Sequence, residues 1–592
     1  MERSQEQLQQ QKGLAIIFCL FLLYLWKETV YDQYFEPQQA RPAVVQTAPV
    51  APKSDAESFE EPAAEAVVEP APVATADSAK SVGSVVSKPG SYPTDKQLES
   101  AGLLQLNTET FAAKLSLLGG RLTELRLTEY KAEATKDSPQ LNMVGHVEQA
   151  PLPLGVYSGT VNDSLVNYRL VNADGGGESL PSAPFTLLGQ DKRVFALKGE
   201  LPDGRAITKT ITFFGRGYFI DAAVRLDAAP ADGARVAIEW TQLITKDSPS
   251  LLDPYSISGF VWWDEQKAHR ESFAKLSADV IDIPAAHWLA VSDKYFMAAL
   301  VIPEGGVPAK TLKTGQLYRA RITGSDTEAS TRLFVGPKSY RLLRDVGFDL
   351  HRVIDFGMTG VIAAPLLSML HWLFDIFGNY GLAIIMLTII VKSLLYPLNA
   401  SAFKQMKAMQ DLAPELKRMK ESITDKQQQQ VEMMALYKKK GVNPLGGCLP
   451  ILLQMPIFIG LYSALQIAIE LRHAPFALWI HDLSSTERLM IGGIGIPVMV
   501  ILFVASMLIQ QMTTPSNMEP AQKRVMYIMP LVFGFMFASM PAGLTLYWLT
   551  NNVISIGQQM AMRRESGKKA LAITGGVSLA VFVIGYLLTR LG

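Results

Sequence analysis

Residues 381–398 read GLAIIMLTIIVKSLLYPL. A helix needs about 20 apolar residues at 1.5 Å each to cross the hydrocarbon of a bilayer, so this stretch has spanning length. A lysine inside such a span costs about 2.5 to 3.5 kcal/mol near the bilayer centre, and Lys392 is therefore read as a functional cation facing a polar cavity. Snorkelling is the competing reading, because Pro397 lies only about 7 Å further along the helix, within reach of a long side chain. Thr388 sits one turn before Lys392 on the same face, where its hydroxyl either joins a polar stripe or bonds its own backbone.

Moving outward, comparable apolar runs occupy about 446–468, 490–511, 525–541, 543–561 and 570–588. The prolines inside them are tolerable where neighbouring helices satisfy the freed backbone groups. The whole chain has 592 residues, 48% hydrophobic and 19% charged, with mean hydropathy +0.15. Its formal charge of zero is a sum: Lys+Arg against Asp+Glu is 35 to 43 over residues 1–350 and 20 to 12 over 351–592. The second part also holds 20 of the 23 methionines, so two physical environments are expected.

Ahead of the spans the pattern changes. Stretches such as 206–213 (AITKTITF), 218–226 (YFIDAAVRL) and 235–244 (RVAIEWTQLI) alternate with period two between Gly, Pro and Asp turns, which argues a large antiparallel β-sandwich over 97–345. Residues 35–96 are rich in Pro, Ala, Val and Glu and read as a disordered acidic tether. Residues 14–26 (LAIIFCLFLLYLW) are apolar, lack an A-x-A-like cleavage site and end in Trp26-Lys27, so 1–34 is expected to be an uncleaved anchor helix. The segment 358–377 has spanning hydropathy. Yet Ala364, Ser368, His371 and Asp375 recur every three or four residues, opposite Leu366, Leu367, Leu370, Trp372 and Phe374, which is the pattern of a helix lying in the interface.

Charge between the runs sets the orientation. Residues 399–443 carry nine Lys/Arg and five acids, 512–524 two and one, and 563–569 four and one, whereas 469–489 carries two Arg and three acids. The positive-inside rule puts the first three in the cytoplasm and the last outside. If 358–377 is interfacial, the β domain falls outside and the N-terminus inside. Residues 399–443 are helix-forming and broken near Ser422-Ile423-Thr424-Asp425. Met406, Met409, Leu412, Leu416 and Met419 on one arm, with Val431, Met434 and Tyr437 on the other, predict a helical hairpin. Methionines in the spans are ordinarily packing residues, although unbranched, polarisable walls also suit a path for varied apolar sequences.

Enzymatic signatures are missing: there is no phosphate-binding loop, H-E-x-x-H, G-x-S-x-G or Cys/His cluster. Cys19 and Cys448 stand alone in apolar runs, so no disulfide, metal or cofactor is indicated. The sequence shows no basic, aromatic-interleaved tract for nucleic-acid readout. Asn162-Asp163-Ser164 matches a glycosylation tripeptide, a pattern that arises often by chance.

Four strings narrow the class. Residues 442–462 (VNPLGGCLPILLQMPIFIGLY), 474–483 (APFALWIHDL), 396–398 (YPL) and 541–548 (PAGLTLYW) resemble the bacterial YidC membrane protein insertases, closely over about 380–562. The order of tether, β domain, interfacial helix and core is similar to the Gram-negative form. The resemblance implies a polytopic α-helical membrane protein of the inner membrane with a periplasmic β-sandwich domain. It implies a five-helix insertase core over 380–562, enclosing a hydrophilic groove open to the cytoplasm and to lipid. Lys392 matches the groove cation, which is Arg in most members; Thr388, Tyr547 and Trp548 match groove-facing positions, the last often Tyr. Gln454, Gln510 and Asn551 are further polar candidates. The implied partners are nascent membrane proteins, the Sec translocon, and the ribosome and targeting receptor through the hairpin, with no cofactor. One departure is the additional apolar helix at 570–588, where members of the family end in a basic tail. Two rivals differ in kind: a secondary transporter with Lys392 at its ion site, which calls for repeated halves with broken helices, and a tethered carbohydrate enzyme, which calls for a pocket with paired carboxylates.

Overall fold

The computed structural model describes residues 92–592 except 136, 146, 172–179, 181, 182, 245–257, 277, 443–448, 514–519, 565–567 and 592. The expected anchor helix, nearly all of the expected tether, Cys19 and Cys448 lie outside the described residues.

A short helix, α1 (Asp95–Ser100), opens the described chain with a capping box: the Thr94 hydroxyl accepts from the Gln97 N–H, and the Gln97 side chain accepts from the Thr94 N–H at 2.8 Å. The β domain follows. Its largest sheet has nine strands among the described residues, of which Lys192–Glu200, Ala206–Phe214, Phe219–Leu226 and Glu328–Pro337 are consecutive antiparallel neighbours, with Ile211 opposite Ala222 and Ile220 opposite Leu333. A six-stranded sheet, including Val236–Leu243 and Leu317–Thr323, packs across it, and buried Trp240 and Trp288 fill the sandwich. A third sheet of five strands departs from the antiparallel expectation at one place, where Leu103–Asn107 pairs in parallel with Phe185–Thr186.

Alternation along Ala206–Phe214 turns Ile207, Lys209, Ile211 and Phe213 to the buried face, so a lysine enters the core. Asp163 receives it: Lys209 Nζ donates to Asp163 Oδ2 at 2.9 Å, and Arg121 Nη2 to Asp163 Oδ1 at 2.6 Å. Tyr168 and the Val156 N–H donate to the same carboxylate, and Lys209 also reaches the Gly119 and Leu154 carbonyls. Burial pushes the Lys209 ammonium down to about 8, against the pull of Asp163. The glycosylation tripeptide thus has a structural use, since Asp163 is fully buried within it.

After α2 (Tyr340–Val346) comes α3 (Gly360–Phe377), which packs Leu366, Leu367, Leu370 and Leu373 inward. Trp372, grouped with the apolar face in the sequence, is 57% exposed, because it follows Ser368 by one helical turn and shares its side. Gly378 at φ +64° ends α3, and Asn379 caps α4 (Tyr380–Leu394) by accepting from the Leu382 N–H at 3.1 Å. Gly381 permits the next contact: a Cβ there would lie 2.0 Å from the Phe476 ring.

The chain bends by 61° between α4 and α5 (Tyr396–Asp411), where Pro397 sits in the first turn of α5. The span expected at 380–398 therefore ends as a straight helix at Leu394. α6 (Ala413–Ser422) and α7 (Lys426–Lys440) form a hairpin around Leu412, Leu416 and Tyr437, with Met419, Met433 and Leu436 alongside. Val431 and Met434, assigned to its seam in the sequence, are exposed. α8 (Leu449–Ile467) follows. α9 (Val498–Thr513) starts later than the expected 490, because Leu489–Ile491 and Ile494–Ile496 form a two-stranded hairpin about Gly492 and Gly493, both at positive φ. α10 (Pro520–Phe537), α11 (Ala542–Arg564) and α12 (Lys568–Leu591) complete the fold. α12 lies against α11 and α4, with Val577 over Gly557 and Ile385 over Gly585. Among the described residues, Gly360–Phe377 and Lys568–Arg590 are by length and composition long and apolar enough to cross a membrane.

Candidate functional site: a polar groove between apolar helices

Lys392 lies in the last turn of α4, 7% exposed, and its Nζ donates to Ser555 Oγ on α11 at 2.9 Å. Ser555 in turn donates to the Asn551 carbonyl at 2.7 Å, so its oxygen is oriented toward the ammonium. The two residues border a cavity of about 400 Å³ walled by α4, α5, α8, α9, α10 and α11. Along α11 its wall is a ladder of Asn551, Asn552, Ser555, Gln558 and Gln559, one face of a helix by spacing. Gln454, Gln510 and Gln511 add amides from α8 and α9, while Met406, Met455, Met507, Met526 and Met562 supply flexible apolar wall.

Several of these polar groups hold one another. Asn552 Nδ2 donates to Ser506 Oγ at 3.0 Å, Gln511 Nε2 to the Met526 carbonyl at 2.8 Å, and Thr513 Oγ1 to Gln559 Oε1 at 2.8 Å. Others are not satisfied: Asn551 Oδ1, Gln511 Oε1 and Trp548 Nε1 are buried without a hydrogen-bond partner among the described residues. A buried orphan of this kind costs about 1 to 3 kcal/mol, which is tolerable where water or a visiting polar group shares the space.

The sequence candidates fall into two groups. Lys392, Gln454, Gln510, Trp548 and Asn551 line the cavity. Trp548 is wedged between Phe458, Phe503 and Phe537, at ring separations of 5.0, 5.9 and 5.7 Å. Thr388 does not line it; the residue is 1% exposed and its hydroxyl donates to the Ile384 carbonyl at 2.7 Å, the backbone alternative open from the sequence. Tyr547 stands behind the wall, 2% exposed, with its hydroxyl accepting from Gln454 Nε2 at 2.9 Å, and so orients a lining residue. Reading the sequence missed Asn552, Ser555, Gln558 and Gln559, although their spacing with Asn551 was a legible helical stripe. Of the methionines weighed as packing or path, Met455, Met507 and Met526 are on the groove wall, and Met499 and Met540 are buried in the core.

A second cavity of about 510 Å³ lies between α12 and the α4, α5 and α11 helices. It is more apolar, and Lys392 is not on its wall; Gln558 borders both spaces. In the β domain, the cavity beside Arg235 holds one carboxylate, Asp326, and the one beside Thr210 holds Asp221, which Arg332 engages through two hydrogen bonds of 2.7 and 2.9 Å. Neither offers the paired acids that a glycoside-processing enzyme needs. Among the described residues no group of His, Cys, Asp or Glu is arranged to hold a metal ion.

An ammonium buried between apolar helices, an amide-lined cavity and a β-sandwich on the same chain define a helical membrane protein with a polar groove. Residues 103–369 match the family described as YidC periplasmic domain, and residues 372–569 the family described as 60Kd inner membrane protein. The membrane protein insertase YidC of Syntrophus aciditrophicus is 31% identical over 568 residues, covering 93% of this chain and 98% of that protein. Those of Geobacter sulfurreducens and Nitratidesulfovibrio vulgaris are 33% and 35% identical, over 78% and 79% of this chain and 86% and 87% of theirs. A solved YidC insertase with its first transmembrane domain resolved aligns over 77% of this chain and 91% of its own, with TM-score 0.34 and 17% identity. The chain belongs to the YidC family of membrane protein insertases, inner-membrane proteins that carry a periplasmic domain.

Proposed function

We propose that this chain inserts nascent inner-membrane proteins by drawing a polar, often acidic, segment into the groove beside Lys392 while the adjoining apolar segment moves along α4 and α8 into lipid. The observation that carries this reading is a buried ammonium with one hydrogen-bond partner among the described residues, set in a cavity lined by amides and methionines between apolar helices. The groove shortens the hydrocarbon path that the polar segment must cross. Transfer of the apolar segment to lipid, at about 25 cal/mol per Å², supplies the driving force, so no nucleotide hydrolysis by this chain is required. Unsatisfied Asn551 Oδ1 and Trp548 Nε1 are an acceptor and a donor suited to a passing backbone.

The proposed topology places the α5–α7 hairpin in the cytoplasm, the β domain in the periplasm and α3 in the interface between them. Support for an interfacial α3 comes from where it touches the core. The helix is about 27 Å long, and its C-terminal half meets the end of the core that joins the β domain, with His371 beside Glu470 and Phe374 stacked on Tyr380, the first residue of α4, while Ile362 near its start reaches Gly460 midway along α8. That end is marked by Lys294 donating to Gln466 at 3.1 Å and Ser339 to Glu470 at 2.8 Å. With nine basic and five acidic residues and exposed Val431 and Met434, the hairpin is the proposed contact for the ribosome, the targeting receptor and the Sec translocon.

The test is site-specific photocrosslinking to a ribosome-stalled single-span substrate. Probes at 392, 454 and 548 should capture the substrate's polar segment, and a probe at Gly575 in α12 should not. Equal capture at all four positions would remove the groove from the path.

A further inference from the structure

The polar stripe of α3 takes no part in the groove. Ser368, His371 and Asp375 face α2 across a separate cavity of about 380 Å³, to which α2 contributes Arg341, Arg344 and Asp345. Arg341 Nη1 lies 3.5 Å from Asp375 Oδ2, and His371 Nε2 lies 3.4 Å from Glu470 Oε1. Arg344 passes over the Tyr340 ring at 5.9 Å; neither it nor Asp345 has an ion-pair or hydrogen-bond partner among the described residues. The wall therefore carries two guanidinium and two carboxylate groups, half of them uncommitted.

Such a wall is neutral in sum and favours a ligand bearing both signs over a simple anion or cation. Its rim is apolar: Trp372 borders the cavity, and Val361, Trp372 and Ile376 are exposed along α3. A charged slot opening onto an exposed apolar helix surface matches a molecule with a zwitterionic head and hydrocarbon tails. We propose that the cavity between α2 and α3 binds the headgroup of an aminophospholipid, with the phosphate on Arg341 and Arg344 and the primary ammonium on Asp345 and Asp375. The planar guanidinium fork suits a phosphate, and the carboxylates accept from the ammonium N–H groups. The Ser368 hydroxyl donates to the Ala364 carbonyl, which leaves its oxygen free to accept as well. A phosphoglycerol head lacks the cation, and a quaternary choline has no N–H to donate. Because α2 is the exit from the β domain and Ser339 at its start reaches Glu470, a lipid held here ties the base of that domain to the membrane surface.

The proposal rests on α3 lying in the interface, and its test does not depend on insertion activity. The full chain is placed in nanodiscs of equal phosphatidylethanolamine, phosphatidylglycerol and phosphatidylcholine, and lipids retained on release are measured by native mass spectrometry. Phosphatidylethanolamine should be retained about tenfold over either competitor, the worth of one charge-assisted hydrogen bond. Arg344→Gln and Asp345→Asn should each abolish the preference, Arg344→Lys should keep most of it, and Lys392→Ala should leave it unchanged. Soluble glycerophosphoethanolamine at equal concentration should not displace the lipid; displacement would assign the site to a free phosphoester. Equal retention of the three lipids, a preference for phosphatidylglycerol, or wild-type retention in Arg344→Gln and Asp345→Asn would overturn the proposal.

Discussion

Replacing Lys392 tests the groove most directly. A sphere of the groove's 400 Å³ has a radius of roughly 5 Å, so a substrate carboxylate at its centre lies about 5 to 6 Å from the ammonium. At an effective dielectric of about 20 that separation corresponds to about 3 kcal/mol of attraction, or about a hundredfold in occupancy. Lys392→Ala removes this term, and Lys392→Glu reverses it, doubling the swing to about 6 kcal/mol. Lys392→Arg keeps the charge and changes only the hydrogen-bond geometry. Each variant is expressed while the resident insertase is depleted, and insertion of a single-span substrate with an acidic translocated tail is scored by protease accessibility. Arg should support insertion, Ala should slow it strongly, and Glu should abolish it; a substrate with its tail acids replaced by Gln should be much less sensitive. If Lys392→Glu inserts the acidic substrate at the wild-type rate, the ammonium has no part in the mechanism.

Other consequences concern stability. Gly381→Ala pushes a methyl into the Phe476 ring, an overpacking that costs about 1 to 3 kcal/mol, whereas Gly575→Ala in α12 meets nothing within 4 Å and should leave thermal unfolding in detergent unchanged or raised. Asp163→Asn strands Arg121 and Lys209 in the β-domain core and should cost about 3 to 5 kcal/mol, read as a large rise in proteolysis of that domain in the full chain. Burial brings the Lys209 ammonium in the folded chain down to about 8 from its ordinary 10.5, so between these the unfolded state binds the extra proton. Stability from this group therefore rises with pH across that window, and Lys209→Met should flatten the slope in urea titrations at pH 7.5 and 9.5.

Much of the fold was legible because its signals are local. Spanning runs and the period-two alternation of Ala206–Phe214 are each set within the length of one element. Boundaries slipped where hydropathy continued through a change of backbone. Ile491 and Ile494 are apolar but belong to a strand hairpin, and Pro397 turns an apolar run by 61°. Of the site, the cation and the amides Gln454, Gln510 and Asn551 could be picked out because a polar residue in an apolar run is conspicuous. Thr388 was equally conspicuous, yet its hydroxyl is spent on its own helix.

By itself the sequence determined that this is a multi-span membrane protein with a β domain and a cation inside one apolar run, because transfer to lipid is a sum over neighbouring residues. Only the tertiary structure decided what the cation meets. Lys392 and Ser555 are 163 residues apart, and Asp163 joins Arg121 and Lys209 across 42 and 46. The polar stripe of α3 likewise became a cavity wall only when α2 was laid beside it. Pairings of that kind depend on which helix and strand faces are brought together, and no local window of sequence contains both sides of the contact.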